Sequence, residues 1–451
     1  MSVHSDKQPP VPRDSPRAQK IPFPLGKTFP HKRKSFPMPA PLDSRFGRAA
    51  FRHPAFSAYI LGRFFIVAAL EMQSVAVGWQ IYDITKRPFD LGLVGLAQFL
   101  PGILLFLVSG HAADRFDRRK VLLWCYVGFV TCSVLLLTTA FGAAHSVRPI
   151  YAVIILIGVV RSFNGTTGRA LLPQLVPLED FQNAVAWNAS TFQAATILGP
   201  SVGGLLYALF RGPAAVYSIA AVTGVIAFGA LLRVKVAAPA RPREQTSLAT
   251  ILAGLQFIKR EKIILGSLSL DLFAVLFGGA VALLPVYARD ILNTGPWGLG
   301  LLRSAPGIGA TAMAIVMAYR PLRSRAGATM LWCVAAFSIF TIVFGLSRNL
   351  ILSMVALFLL GASDMVSVVV RGTLVQLATP DPMRGRVNAV DMIFIGASNE
   401  LGQFESGVTA AWFGTVPAVV IGGLGALTVT ALWAWGFPEL RRAHYTSVAA
   451  E

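Results

Sequence analysis

A chain of 451 residues in which 55% are hydrophobic and 14% charged carries more apolar side chain than a soluble fold of one or two domains can bury. Its formal charge of +19 does not mark a nucleic-acid binder, because much of the excess lies in the first fifty residues and in loops on one side of apolar segments. Cys125, Cys132 and Cys333 all fall inside apolar runs, and the first two stand about 10 Å apart along a helix, too far to bridge. The thiols therefore say nothing about compartment.

About twelve apolar runs of about 20 residues each are long enough to cross the ~30 Å hydrocarbon core as helices. They lack the period-two alternation of a membrane barrel. The expected fold is an all-α integral membrane protein of twelve transmembrane helices in two pseudo-symmetric six-helix halves.

In chain order, residues 1–50 are rich in Pro, Lys and Arg and poor in aliphatic side chains, as in a disordered basic tail. The tail has no secretory signal core, and its Lys32-Arg33-Lys34 cluster is suited to anionic lipid or to plain solvation. The N-terminal half, 51–232, holds helices expected over 56–81, 91–109, 121–141, 150–171, 184–210 and 214–232. A linker over 233–262 combines Pro239, Pro242 and basic residues with an amphipathic helix, in which Leu248, Ile251, Leu252, Leu255 and Ile258 recur at helical spacing along the membrane interface. The C-terminal half, 263–438, holds helices over 263–288, 298–318, 329–346, 350–377, 387–413 and 416–437, and a short tail over 439–451 follows.

The halves repeat one another. Gly95-Leu-x-x-x-x-Pro101-Gly102 recurs as Gly300-Leu-x-x-x-x-Pro306-Gly307, and Arg169-x-x-Leu-x-Gln174-Leu as Arg371-x-x-Leu-x-Gln376-Leu. That is the signature of a parallel repeat. Lys and Arg concentrate in the loops around Arg118, Arg241, Arg320, Arg384 and Arg441, so both termini are expected in the cytoplasm.

Between the second and third runs lies Gly110-x-x-x-Asp114-Arg115-x-x-Arg118-Arg-Lys120, expected to be a short basic turn facing water. This spacing resembles the loop signature of the major facilitator superfamily, although Asp117 stands where that pattern usually has Gly. The run Arg161-Ser-Phe-Asn164-Gly165 resembles the second motif of the superfamily, with Asn164 for the usual Gln. Ala195-x-x-x-Gly199-Pro200-Ser-Val-Gly203-Gly204 is similar to the signature of its proton-coupled exporters, with Ala195 for the leading Gly. Read from the residues alone, that run is close helix packing at small side chains around a proline-softened backbone. The segments after Gly165 and around Arg386-Val-Asn-Ala-Val-Asp look most like the branch containing the enterobactin exporter and macrolide efflux proteins.

Ionisable side chains in apolar helices need a partner or water, which singles out Glu71, Arg161, Asp271 and Asp364. The resemblance implies that their four helices line a central cavity. Counting ~1.5 Å per residue puts Glu71, Arg161 and Asp364 near mid-membrane and Asp271 closer to the inner face. They are candidates for proton coupling or for ion pairs that lock helices together. Glu400, Glu405 and Arg303 are set aside, because their helices are expected to pack partly away from the cavity. Trp79, Phe99 and Phe163 are candidate substrate contacts or packing groups.

Asp114, Arg115 and Arg118 are candidates for a gate, with Asp114 meeting a helix N-terminus of the opposite half and the arginines meeting neighbouring acids. No phosphate-binding loop, metal-ligand spacing or nucleophile motif occurs. The resulting expectation is a monomeric secondary transporter of the inner membrane, with no cofactor and no catalytic residue. It would exchange protons for a small amphipathic compound such as a siderophore or drug. A lysophospholipid flippase of the same fold and a non-transporting membrane sensor are the alternatives.

Overall fold

The computed structural model describes residues 46–141, 146–235, 248–320 and 325–444. The basic tail with Lys32-Arg33-Lys34, the linker prolines Pro239 and Pro242, Arg241, Arg323 and the last residues of the C-terminal tail lie outside them. Among the described residues every regular element is helical: α1 (Pro54–Thr85), α2 (Pro88–Leu104), α3 (Phe106–Arg115), α4 (Arg118–Phe141), α5 (Arg148–Leu171), α6 (Phe181–Leu209), α7 (Ala214–Leu232), α8 (Leu248–Arg260), α9 (Lys262–Phe277), α10 (Leu284–Val286), α11 (Gly295–Tyr319), α12 (Ala326–Leu346), α13 (Leu350–Ala378), α14 (Asp381–Phe413), α15 (Thr415–Gly436) and α16 (Pro438–Arg442). With no water to satisfy backbone polar groups inside a bilayer, helices are the form such apolar runs must take.

Ten helical stretches of the described residues are long and apolar enough to span a membrane. An eleventh is α2 joined to the α3 segment with a bend of 55°. Pro101 stands within α2 just before this break, where it removes a backbone donor. The twelfth expected helix is α14, which at 33 residues is long enough to span, but its Arg386, Asp391, Asn399, Glu400, Gln403 and Glu405 make it too polar to read as an apolar span. Eleven of the twelve expected segments thus coincide with a helix or a bent helix pair, and the seventh, 263–288, is interrupted after Phe277 and continues through short helical turns to Ile291 within one span.

One sequence expectation about the connecting segments needs correction, and the packing of a second can be described. The segment from Gly110 to Arg115 is not a turn but the helix α3, and only Phe116 and Asp117 separate it from α4. Asp117 Oδ1 accepts the backbone N–H groups of Arg119 and Lys120, at 2.9 and 3.3 Å. It therefore does the work of a helix cap, which a glycine lacks the oxygen to do. The amphipathic helix α8 turns part of its apolar face onto the bundle, while Leu252 stays exposed. Ile258 is fully buried with Ile264, Leu268, Val375, Val387 and Val390, and Gly254 lies against the carbonyl of Arg386, so α8 docks on α9, α13 and α14. At the same end Lys262 donates to Glu439 at 2.7 Å, ties α16 to the start of α9, and holds that carboxyl below its ordinary range.

The close glycine approaches that join α2 to α14 and α6 to α11 lie toward one end of the molecule. A Cβ on Gly92 would meet the Cα of Gly407 at 3.0 Å, and one on Gly204 would meet Gly300 Cα at 2.9 Å and the Pro296 carbonyl at 2.5 Å. These contacts join α2 to α14 and α6 to α11. Ser201 and Ser304 hydrogen bond across the second seam at 2.8 Å, and Gln193 donates to the Gly307 carbonyl at 3.1 Å. The same end is closed by charge: Arg289 pairs with Asp83, Tyr82 donates to Asp290, and the Arg289 guanidinium sits 5.7 Å from the Trp79 ring centroid. Arg289 and Asp290 belong to a π-helical turn, Tyr287–Ile291. Toward the other end, Gly102 of α2 and Gly385 and Gly396 of α14 face open space. The bundle is therefore sealed where α1 ends and α2 begins, and parted where α3 meets α4.

Two glycines of one run should fail differently. Gly204→Leu drives α6 from α11, so a Ser201→Cys reporter, shielded in the native seam, should react with a polar maleimide only in that background. Gly203 faces Met72 of α1, with its Cα 2.8 Å from an added Cβ. Gly203→Leu should instead destabilise the protein by about 1–3 kcal/mol, read from thermal unfolding. Unchanged labelling of Ser201→Cys would show that the seam is not a seal.

Candidate functional site

Glu71 on α1 and Arg161 on α5 come together with Arg303 on α11 and Glu400 on α14. Arg303 lies in the fields of Glu71, Glu400 and Arg161, and Glu400 in those of Arg161, Arg303 and Glu71. Among the described residues these four do not close into direct ion pairs. Neutral amides hold two of them in place: Gln98 Oε1 accepts from Arg161 at 2.7 Å, and Gln403 Nε2 donates to Glu400 at 3.2 Å. Arg161 is exposed although it stands mid-helix and within reach of charges from three other helices. An accessible surface surrounded by helices is the wall of an internal cavity, and water there makes such charges tolerable.

The small-residue run on α6 is part of the same construction. A Cβ on Gly199 would stand 2.6 Å from Glu71 Cβ and 3.1 Å from the Ala68 carbonyl, so the α6 backbone presses on the turn that carries Glu71. Pro200 and Gly204 continue the contact to Gly300 on α11. Asn164 lies one turn from Arg161 toward the open end, partly buried, without a hydrogen bond to another described residue.

Asp271 and Asp364 do not join Glu71 and Arg161. Arg371 of α13, with 4% of its surface exposed, pairs with Asp391 of α14 at 2.6 Å and with Asp271 of α9 at 3.4 Å. Asp364, two turns along α13, lies in the fields of Asp271 and Arg371. This second cluster sets one guanidinium against three carboxylates. Sequence reasoning used Arg371 only as a marker of the internal repeat and so missed the counter-charge that draws these acids away from the centre. It also set aside Arg303 and Glu400, although an ionisable residue in an apolar helix was the signal that selected Glu71.

At the junction of α3 and α4, Arg118 donates to the carbonyls of Ala113 and Ala170, at 3.2 and 3.0 Å, rather than to acids. It pins the junction to the end of α5, while Arg119 donates to the Leu232 carbonyl at 2.6 Å and pins it to α7. Asp114 and Arg115 are exposed on the last turn of α3, and neither has a hydrogen bond or ion pair to another described residue. Gly110 faces open space. Of the aromatic candidates, Trp79 belongs to the closed end, edge-on to Tyr207 and under Arg289. Among the described residues no group of His, Cys, Asp and Glu is arranged to hold a metal ion.

Comparison with known proteins agrees with this architecture. Residues 47–448 match the family model described as transmembrane secretion effector. An enterobactin exporter of Shigella boydii serotype 4 is 30% identical over 402 residues, covering 87% of this chain and 94% of that protein. Among solved structures, a bacterial homologue of the human lysosomal transporter Spinster, crystallised inward-facing and unoccupied, superposes with a TM-score of 0.66 at 11% identity, covering 86% of this chain and 96% of its own. The nucleoside transporter NupG superposes with a TM-score of 0.61 at 14% identity, covering 85% and 99%. The chain therefore belongs to the transmembrane secretion effector family within the major facilitator superfamily, and it is a multi-pass membrane transporter rather than an enzyme.

Proposed function

We propose that this chain is a proton-coupled exporter of a small amphipathic compound, working by alternating access in an inner membrane with both termini in the cytoplasm. The observation that carries the reading is the central cluster, in which α1 and α5 supply Glu71 and Arg161 while α11 and α14 supply Arg303 and Glu400. Each proposed half, 51–232 and 263–438, contributes one acid and one base. Each is therefore close to neutral by itself, and the halves can move apart at mid-membrane without stranding a net charge.

The cluster supplies a coupling device. With both acids ionised, attraction between Glu71 and Arg303 and between Glu400 and Arg161 favours the halves staying together at this level. A proton on Glu71 removes one of these attractions and leaves the cluster with an excess positive charge, which biases the halves toward a different separation. Because the α6 backbone presses on the Glu71 turn at Gly199 and meets α11 through Gly204 and Gly300, a shift at Glu71 reaches the closed seam by direct contact. The positive loops support a cytoplasmic side for the parted end, and the described state is proposed to be inward-open.

The enterobactin exporter among the relatives points to a siderophore-like cargo, and the mixed charge of the cavity wall suits an amphipathic molecule. Protons, cargo and surrounding lipid are the proposed partners, with the monomer as the working unit. In this state Asp114, exposed at the parted end, has no ion pair or side-chain hydrogen bond among the described residues. Closure of that end would bring it toward the opposite half, where a helix N-terminus favours a carboxylate.

Three measurements test this reading. In proteoliposomes under an imposed pH gradient, Glu71→Gln should reduce gradient-driven efflux at least ~10-fold, while equilibrium binding of cargo persists, because one interaction with a proton is lost rather than the cavity. Undiminished gradient-driven efflux would move the proton site elsewhere. Asp114→Asn should slow transport by weakening the state closed at the inner end; wild-type rates at equal expression would remove its gating role. Arg371→Met leaves three acids without a counter-charge and should cost about 3–5 kcal/mol of stability, whereas loss of transport at unchanged thermal stability would give Arg371 a coupling role instead of a structural one.

A further inference from the structure

We infer that Arg63 and Arg169 form a binding subsite for the acidic group of an amphipathic organic acid, placed between the parted end and the central charge cluster. The inference rests on the transporter reading and names the chemistry of its cargo. Arg63 on α1 and Arg169 on α5 lie in each other's field, and neither is in an ion pair among the described residues. Two guanidinium groups repel, so holding them together without an acid is costly in a membrane setting.

The partners they do have are poor substitutes for a carboxylate. Arg63 sits over the Phe192 ring with its carbon 5.8 Å from the centroid and is hydrogen bonded to the neutral Tyr59 side chain, while its buried Nε has no hydrogen-bond partner among the described residues. Arg169 is exposed and donates to the sulfur of Met392 on α14, a weak acceptor. The internal repeat sharpens the contrast. Arg371 occupies the corresponding place in the second half, and there Asp391 and Asp271 answer its charge at 2.6 and 3.4 Å. At Arg169 no acid answers among the described residues, and Arg63 reaches the same turn, its Nη1 3.8 Å from where a Cβ on Gly168 would stand.

The geometry selects a chemical class. Guanidinium groups present N–H donors in a fixed fork that matches the two oxygens of a planar carboxylate, and a second guanidinium strengthens the preference for full negative charge. Phe192 and Met392, which flank the pair, are 44% and 46% exposed, so an apolar or aromatic body has a surface to lie on beside the bound acid. Arg63 precedes Glu71 by eight residues on α1, about 12 Å along the helix, so an acid held at the pair can extend its body toward the central cluster.

An anionic lipid headgroup entering from the parted end presents the same oxyanion chemistry, so the test separates the two sources. The purified full chain, in nanodiscs of zwitterionic lipid only, is titrated with the fluorescent acid 9-anthracenecarboxylate and with the uncharged 9-anthracenemethanol, following fluorescence anisotropy. The native chain should prefer the acid by at least ~10-fold. Arg169→Gln and Arg63→Gln should each remove most of that preference, and Arg169→Lys should restore part of it. Arg384→Gln, which breaks an exposed pair with Asp381 at the parted end, should leave it intact. Thermal unfolding of each variant identifies any that fails to fold, and Arg169, being exposed, then carries the test.

A preference that survives in folded Arg169→Gln overturns the proposal. If the native chain shows no preference for the soluble acid but binds a fluorescent anionic lipid added to the same nanodiscs, and the arginine variants lose that binding, the pair belongs to headgroups and the proposal is likewise overturned. Binding is measured without a gradient. Undiminished gradient-driven efflux by Glu71→Gln would therefore count against proton coupling through that residue and leave the subsite standing.

Discussion

A charge in hydrocarbon must find an opposite charge, a set of hydrogen bonds or water, and the arrangement of these helices follows from how each charge meets that demand. Three solutions coexist in the chain. Arg371 closes directly on Asp391 and Asp271 and is buried, which fixes α9, α13 and α14 relative to one another. Glu71, Arg161, Arg303 and Glu400 attract across accessible space without closing, and Gln98 and Gln403 hold two of them at their stations. Arg289, Asp83, Asp290 and Tyr82 meet at a helix end, where two stretches of chain far apart in sequence are tied.

Backbone contact supplies the complementary constraint. Lipid tails are as apolar as the helix faces, so helices adhere through close packing, and small residues let them approach. On α2 and α14 the glycines near one end are in tight contact, whereas Gly102, Gly385 and Gly396 of the same helices meet nothing. A repeated sequence pattern therefore produces an asymmetric seam, sealed at one end and parted at the other. Gly95 and Gly300, equivalent in the repeat, both lie at the sealed seams, Gly95 against Gln403 and the Glu400 carbonyl and Gly300 against the Pro200 carbonyl. The packing glycines and the central acids are thus neighbours in space as well as in sequence.

The helices were legible because hydrophobic length is a local property: residues 56–81 and 350–377 announce spans without reference to anything else. α14 was recognised through its place in the repeat, since its polar side chains hide it from any test of apolarity. The site was only half legible. Glu71 and Arg161 stand out as charges in apolar runs, but the decision to discount Arg303 and Glu400 depended on which way two helices face, and that is set by packing far along the chain. Asp271 and Asp364 show the same limit from the other side. Their cost was visible in the sequence, but the residue that meets it, Arg371, lies about 100 positions from Asp271 and was read only as a repeat marker.

Asp117 is the case where a departure from a family pattern has a local cause. The loop between α3 and α4 shrinks to two residues, so α4 begins abruptly and its first N–H groups need an acceptor. A glycine would leave that role to water; Asp117 fills it with its own carboxylate and lets Arg118 and Arg119 turn outward to the ends of α5 and α7. The cap and the two arginines act together, because the cap sets where α4 starts and hence which carbonyls the guanidinium groups reach. Asp114, on the last turn of α3, is then carried on a junction anchored at two helix ends, while its own carboxylate stays exposed. An exposed charge on an anchored support is placed to respond to whatever approaches the parted end, and its position changes only if α4, α5 and α7 move with it.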